Sequence, residues 1–301
     1  MKNYDVVILT DSRYETQTVK SDYVANIFKE EGILKQYLEE KGLTVLRKDW
    51  ACPDFDWSTA KCLIFRSTWD YFDRFNEFKT WLNNVESKTM LINDASQVRW
   101  NMDKHYLLDL KKKGIKIVES EYLKKRDTRS LKEIISTLNW PKAILKPTIA
   151  GAARHTYKIS PETIDRYESI FKELIADEDM MIQPFQYNIE EKGEVSFVVI
   201  DGEYTHSVLK KAKSGDFRVQ DDFGGSVHDY EPSDEEIIFA ENVVKACSPI
   251  PAYARVDVMW NNENELAVSE VELIEPELWF RNNPTSANKL AQVISDRLMN
   301  N

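Results

Sequence analysis

Six charged side chains stand inside two segments that are otherwise strongly apolar, Tyr253-Ala-Arg-Val-Asp-Val-Met-Trp260 and Leu266-Ala-Val-Ser-Glu-Val-Glu-Leu-Ile-Glu-Pro-Glu277. Side chains alternate between the two faces of a strand, so Arg255 and Asp257 share a face of the first segment, and Glu270 and Glu272 share a face of the second. The connection Asn261-Asn-Glu-Asn264 has turn chemistry. A hairpin is therefore predicted, gathering three carboxylates and a guanidinium on one side of a sheet. A carboxylate buried without a counter-charge is strongly destabilising, so this face is solvated, paired internally or held by a cation. An oxygen-only donor set without His or Cys suits a hard divalent ion such as Mg²⁺, with Mn²⁺ as an alternative. A solvated strand face or a plain Arg–Glu pair is the competing account. Whether Glu275 or Glu277 joins the set stays open.

The first hundred residues alternate strand signals (4–10, 43–47, 61–66, 89–92) with helix signals (22–41, 75–85), a rhythm that predicts a parallel α/β sheet. The turn after the first strand, Asp11-Ser-Arg-Tyr14, lacks G-x-G-x-x-G, so no dinucleotide is expected there. A helix at 103–113, a strand at 115–118 and a helix at 130–138 follow. Strands at 143–146, 180–185, 195–201, 204–211, 252–260 and 266–274, with helices at 233–247 and 284–298, read as antiparallel α+β. The fold class is thus α/β plus α+β, divided as 1–100, 101–185 and 186–301.

With 301 residues and 42% hydrophobic content the chain can bury a sizeable core. Its net charge of −11 disfavours nucleic acid as a partner. The apolar run at 6–9 is too short for a signal segment or a membrane span. Cys52, Cys62 and Cys247 form no CxxC pair, which argues against a disulfide framework or a zinc site and for a reducing cytoplasm. The sequence leaves open whether the chain forms a homo-oligomer.

Lys146 ends an apolar strand directly before the small-residue loop at 148–156, where its ammonium can meet phosphate oxygens as a point charge. The loop is not a Walker A motif, yet its small side chains, Gly151 among them, let backbone N–H groups close over a triphosphate. A strand-end lysine reaching to water and an ordinary turn are the plainer accounts. Met180-Met-Ile-Gln-Pro-Phe185 runs from a strand into an extended hinge that offers apolar atoms to an adenine face. Lys210-Lys-Ala-Lys-Ser-Gly-Asp-Phe-Arg-Val-Gln220 adds a basic patch, followed by Phe223-Gly-Gly225.

Taken in order, Asp103-Lys104, Ile144-Leu-Lys-Pro147, the small-residue loop, Gln183-Pro-Phe185, Gly193-Glu-Val-Ser196, Ala212-Lys-Ser-Gly-Asp-Phe-Arg218, Arg255-Val-Asp257 and Glu270-Val-Glu272 resemble the ATP-grasp ligases. The resemblance implies an N-terminal open α/β domain on the substrate side (1–100), a lid lobe with the phosphate loop (101–185) and a C-terminal lobe with the metal site (186–301), the two α+β lobes enclosing ATP. It implies Lys104, Lys146 and Gly151 at the phosphates, Gln183 and Phe185 at the adenine hinge, Glu194 at the ribose and Arg218 at the γ-phosphate. Asp257, Glu270 and Glu272 would hold the metal, and Arg255, with Arg218 and Lys146, would serve the chemistry. Many members carry E-x-N where this chain has Glu270-Val-Glu272.

Arg66-Ser-Thr-Trp-Asp-Tyr71, Lys146-Pro-Thr148, Gly215-Asp-Phe-Arg-Val-Gln220 and Glu272-Leu-Ile-Glu-Pro276 are similar to the O-ureidoserine cyclo-ligase type of cycloserine biosynthesis. That resemblance implies a ligase that activates a small-molecule carboxylate as an acyl phosphate for attack by a nitrogen nucleophile, within the same molecule or from a second amine. An ATP-binding scaffold and a phosphotransferase are the alternatives. Residues 66–71 follow an apolar strand and so lie at its carboxyl end, where open α/β sheets bind ligands. Arg66 on a carboxylate, Ser67 as a hydroxyl, Trp69 as a wall and Asp70 on an ammonium would clamp a small amino-acid-like substrate. An ordinary loop with Arg66 paired to Asp70 is the competing account.

Overall fold

Val6, Val7, Ile8 and Leu9 are inaccessible to solvent on both faces of their strand, as the centre of a parallel sheet requires. This strand, β1 (Tyr4–Thr10), leads into α1 (Ser12–Glu15), α2 (Asp22–Glu40), β2 (Val45–Asp49), β3 (Ala60–Ser67), α3 (Phe75–Val85) and β4 (Met90–Ile92). The four strands are parallel in the order β2-β1-β3-β4. The computed structural model describes residues 2–16, 18–19, 21–213, 215–219 and 224–300. Ser214, Gln220 and Phe223 of the quoted motifs lie outside the described residues.

Two helices, α4 (Ala95–Asn101) and α5 (Tyr106–Lys112), connect to a smaller lobe of β5 (Glu121–Leu123), α6 (Leu131–Leu138), β6 (Ala143–Pro147), β7 (Tyr157–Ile159), α7 (Ile164–Asp177) and β8 (Met180–Pro184). Its antiparallel sheet runs β5-β8-β6-β7 and is packed with Leu145, Phe171 and Ile182. The chain continues through α8 (Asn188–Lys192), β9 (Glu194–Ile200), β10 (Glu203–Lys211), β11 (Ser226–Asp229), α9 (Asp234–Ala246), β12 (Tyr253–Trp260), β13 (Leu266–Glu272) and α10 (Pro284–Met299). These strands form an antiparallel sheet in the order β11-β10-β9-β12-β13.

One core joins the first sheet to the last, because Ile8, Ile64 and Ile92 pack with Val198, Ile200 and Tyr253, and with Leu290 and Ile294 of α10. Polar side chains fix the same junction. Buried Asn93 donates to the carbonyls of Tyr253 (2.8 Å) and Leu273 (2.9 Å), and the Tyr253 hydroxyl donates to the Phe65 carbonyl at 2.9 Å.

The edge strand β13 carries two of the candidate metal ligands, and its free edge is covered. Asn101 donates to the Val271 carbonyl (2.7 Å) and accepts from the Leu273 N–H (2.8 Å), while the Val271 N–H donates to the Tyr106 hydroxyl (2.8 Å). Residues 115–118, expected as a strand, meet β13 only by a bridge of Ile117 to Val268, since α4 and α5 already occupy the rest of that edge. The helix expected from 103 begins at Tyr106, and α4 precedes it behind a capping box of Asp94 and Gln97. Among the described residues no helix is long and apolar enough to cross a membrane.

Candidate active site

The predicted hairpin forms with Arg255 opposite Glu272 and Asp257 opposite Glu270. Asp257, almost wholly buried, accepts from Arg255 Nε (2.9 Å) and Nη2 (2.8 Å), from Ser196 Oγ (2.5 Å) and from Lys210 Nζ (3.1 Å). Arg255 also pairs with Glu272, and Lys104 lies 2.9 Å from Glu270. One carboxylate oxygen from each of Asp257, Glu270 and Glu272 falls within a 4.8 Å group. An all-oxygen, partly buried donor set of this size fits a hard divalent ion.

The three carboxyls are electrostatically unequal. Burial works to raise all of them. At Asp257 the charges of Arg255 and Lys210 outweigh burial and hold the group well below the usual carboxylate range. At Glu270 the charges of Lys104 and Lys146 also outweigh burial and lower the group. Burial prevails at Glu272, pushed up to about 7, and at Glu275, pushed up to about 8 beside Glu272 and Glu270. Near neutral pH the hairpin therefore holds Asp257 and Glu270 charged while Glu272 is divided between its two forms.

A cleft opens over this hairpin between the two antiparallel sheets, and it is lined by Lys104, Lys146, Gly151, Gln183, Phe185, Glu194, Arg218 and Arg255 together with the three carboxylates. Lys146, the penultimate residue of β6, feels the charge of Glu270 on the hairpin, and burial lowers its pKa to about 8. Lys104 Nζ also donates to the Ala150 carbonyl at 2.5 Å, which ties down the small-residue loop. In that loop Ala152, Ala153 and His155 adopt the left-handed conformation, uncommon for residues with a Cβ and frequent at ligand clamps. Gly151 abuts the other sheet's domain, since a Cβ there would lie 2.5 Å from Phe72 Cε1.

At the other end of the cleft Phe185, Ile189 and Val219 pack with Ile144, Phe217 and Met259 into an apolar slot, and the Lys158 ammonium lies 3.6 Å from the Phe185 ring centroid. Gln183 donates to Ser120 Oγ at 2.9 Å. Glu194 is engaged by Lys210 at 2.6 Å and by Ser269 Oγ at 2.6 Å. Arg218 reaches the cleft paired with Asp216 at 2.7 Å. Lys210 was visible in sequence only as one of a basic run, but buried in the structure it links Glu194 to Asp257.

A second cavity opens from the first on the side of the parallel sheet and shares Gly151, Ala152, Lys210, Arg255 and Glu272 with it. Trp69 lines this cavity, and its indole N–H donates to the Glu275 carbonyl at 2.9 Å. Arg66 and Ser67 reach only the small cavity behind Trp69. Arg66 is buried, donates to the Pro276 carbonyl at 2.7 Å and lies 3.9 Å from Glu30, while Ser67 Oγ hydrogen-bonds Thr10 at 2.7 Å and Glu31 at 2.5 Å. Asp70 is not brought to these cavities. Its carboxylate is taken by the Trp50 indole N–H (2.7 Å) and Arg74 (2.8 Å), so it neither faces a substrate ammonium as expected nor forms the competing pair with Arg66. Arg13 and Tyr14, passed over in the turn that lacked a glycine motif, line the same cavity at the carboxyl end of β1.

Residues 103–284 match the RimK-like ATP-grasp domain, and residues 6–93 match the N-terminal domain of D-cycloserine synthetase DcsG. The cycloserine biosynthesis protein DcsG of Streptomyces lavendulae is 24% identical over 270 residues, 85% of this chain and 90% of that protein. The crystal structure of D-cycloserine synthetase DcsG aligns with a TM-score of 0.84 at 23% identity, over 97% of this chain and 99% of that one. The crystal structure of D-alanine–D-alanine ligase from Bacillus anthracis aligns with a TM-score of 0.67 at 17% identity, over 99% and 98%. With the family's domain spanning more than half of its length, and a cleft that combines lysine and arginine side chains, an apolar slot and a carboxylate triad, the chain belongs to the RimK-like ATP-grasp family and is a carboxylate–amine ligase that works with ATP and divalent metal ions.

Proposed function

We propose that this ligase activates the carboxylate of a small amino-acid derivative, of the O-ureidoserine type, and closes it onto a nitrogen of the same molecule. The observation that carries the reading is the connection of two cavities at Arg255 and Glu272, one suited to a nucleotide and one walled by charged and aromatic side chains. In this account residues 1–100 supply the substrate side, 101–185 the lid lobe with its phosphate loop and 186–301 the metal-bearing lobe. The substrate carboxylate attacks the γ-phosphorus, the bond to the β-phosphate oxygen breaks, and ADP leaves. The nitrogen then attacks the acyl carbon, loses its proton and expels inorganic phosphate.

This chain's residues mainly position groups and stabilise charge in those steps. Lys104, Lys146 and the N–H groups around Gly151 hold phosphates, and Arg218 reaches the γ-phosphate. Phe185 and Gln183 line the adenine slot, with Glu194 at the ribose. Arg255, fixed by Asp257 and Glu272, stabilises the oxyanion. Trp69 walls the substrate cavity, Arg66 and Ser67 back it from the small cavity behind the indole, and Asp70 is taken by Trp50 and Arg74 outside it. Mg²⁺ or Mn²⁺ held by Asp257, Glu270 and Glu272 would offset the charge of the phosphate oxygens. A cytoplasmic site of action follows from the need for ATP and from the three free thiols.

Binding to the native state alone stabilises by about 2.7 kcal/mol at a hundredfold excess over Kd. ATP with Mg²⁺ is therefore expected to raise the melting temperature clearly, and O-ureidoserine is expected to trigger ADP release. No thermal shift over a wide nucleotide range in the folded protein would contradict the reading. Release of ADP with a phosphorylated product in place of free phosphate would favour a phosphotransferase.

A further inference from the structure

The strand that carries Asp257 ends in a turn that grips the chain at the other end of the cleft. β12 sets Asp257 among the carboxylates and Met259 against the apolar slot, and then runs into residues 261–264. Asn261 closes this turn on itself. Its side-chain oxygen accepts from the N–H groups of Glu263 (3.1 Å) and Glu265 (2.8 Å), and its carbonyl accepts from Asn188 Nδ2 at 2.6 Å. The turn is fixed in this way, and Asn262 faces the hinge.

Nδ2 of Asn262 donates to the Phe185 carbonyl at 3.0 Å, Oδ1 accepts from the Tyr187 N–H at 2.9 Å, and the Asn262 backbone N–H donates to Gln186 Oε1 at 3.0 Å. A carboxamide offers a donor and an acceptor on one planar fork, so it engages the hinge main chain much as a neighbouring strand would. Phe185 is held from the lid lobe as well, since its N–H donates to the carbonyl of Lys142, the residue before β6, at 2.9 Å. Asn262 lies outside the lining of the nucleotide cleft and faces a separate cavity that meets the cleft at Pro184, Phe185 and Gln186. Any effect it has on a ligand in the cleft is therefore exerted through the hinge.

β12 is hydrogen-bonded to β9 on one side and to β13 on the other, which makes it a stiff member with the carboxylates along it and the hinge grip at its end. A ligand with a ring in the slot and phosphates at the carboxylates can engage both only while their spacing holds. Fixed spacing makes the second contact intramolecular once the first has formed.

We propose that Asn262 is a positioning residue of the ligase, which fixes the Phe185 hinge against β12 and so sets the distance between the adenine slot and the metal site. The proposal rests on the assignment of ATP to the cleft. It makes the tightness of nucleotide binding depend on a side chain that never touches the nucleotide.

The test titrates the full-length protein by calorimetry with AMP-PNP and, separately, with tripolyphosphate, each with Mg²⁺. Wild type is expected to bind AMP-PNP about tenfold or more tighter than tripolyphosphate, which engages the phosphate end alone. Asn262→Ala should weaken AMP-PNP about tenfold and leave tripolyphosphate within about twofold. Its melting temperature should stay near that of wild type, because Asn262 is exposed and water can take the hinge groups it releases. Asn262→Asp, which keeps an acceptor for Tyr187 but sets a carboxylate oxygen against the Phe185 carbonyl, should lose AMP-PNP affinity likewise. A role confined to holding the turn would leave the ratio of the two affinities as in wild type. The proposal is overturned if either folded variant binds AMP-PNP as wild type does, or if tripolyphosphate weakens in step. AMP-PNP that fails to bind wild type would sink the nucleotide reading itself, and the positioning role with it.

Discussion

Glu270→Gln and Asp257→Asn are each expected to lower turnover about 10²–10³-fold, but with different effects on stability. Glu270 is partly exposed, with 29% of its side chain accessible, and among the described residues it pairs with Lys104, which keeps a second acceptor in the Ala150 carbonyl, so the neutral amide is tolerated. The melting temperature of Glu270→Gln should stay close to that of wild type. Asp257 is the buried hub that neutralises both Arg255 and Lys210. Removing one partner of such a buried network costs about 3–5 kcal/mol, so Asp257→Asn should melt well below wild type as well as lose activity. The two cations against Asp257 are what make its loss costly to the fold. Steady-state kinetics and thermal unfolding on both variants check the account, and near-normal turnover in both would show that the cluster is structural.

Nucleotide affinity is expected to weaken as pH rises through about 8. Burial disfavours the ammonium form of Lys146 and brings its pKa down to about 8 in the absence of nucleotide. A bound triphosphate favours the ammonium, so below that pH the contact is made at no proton cost, and above it binding must take up a proton. Linkage then raises Kd by up to about tenfold per pH unit. Lys146→Met should weaken ATP binding by about 10–100-fold at neutral pH, as expected for the loss of a charge-assisted contact, and should flatten the pH profile. Titration calorimetry in two buffers of different ionisation enthalpy measures both the affinity and the proton uptake. A wild-type profile that is flat between pH 7 and about 9, with a matching profile in the variant, would remove Lys146 from the phosphate site.

The hairpin was legible because period-two alternation and an Asn-rich turn fix which side chains share a face, and β12 and β13 pair as that pattern requires. The parallel sheet was legible for a similar reason, since continuous apolar runs such as 6–9 have to be buried on both faces. Less was readable where tertiary contacts decide. Residues 115–118 have strand composition, but the side chains of Asn101 and Tyr106 had already capped the edge they would join. Lys210 looked like one of several surface lysines, because nothing local reveals that β12 pairs with the far side of β9 and so brings Asp257 within its reach. Asp70 sits in a motif whose composition suggests a zwitterion clamp, yet Trp50 from the β2–β3 connection claims it. Arg13 escaped notice because the absence of a glycine fingerprint spoke only against a dinucleotide.

The central claim is that a substrate carboxylate receives the γ-phosphoryl group before nitrogen displaces it. It is tested most directly with O-ureidoserine carrying ¹⁸O in its carboxylate, incubated with ATP, Mg²⁺ and the protein, with the released phosphate analysed by mass. The acyl-phosphate route transfers a carboxylate oxygen to phosphorus, so each phosphate formed alongside ADP should carry one ¹⁸O atom from a fully labelled substrate. Phosphate without label, or ADP formed without any conversion of the substrate carboxylate, would contradict the account.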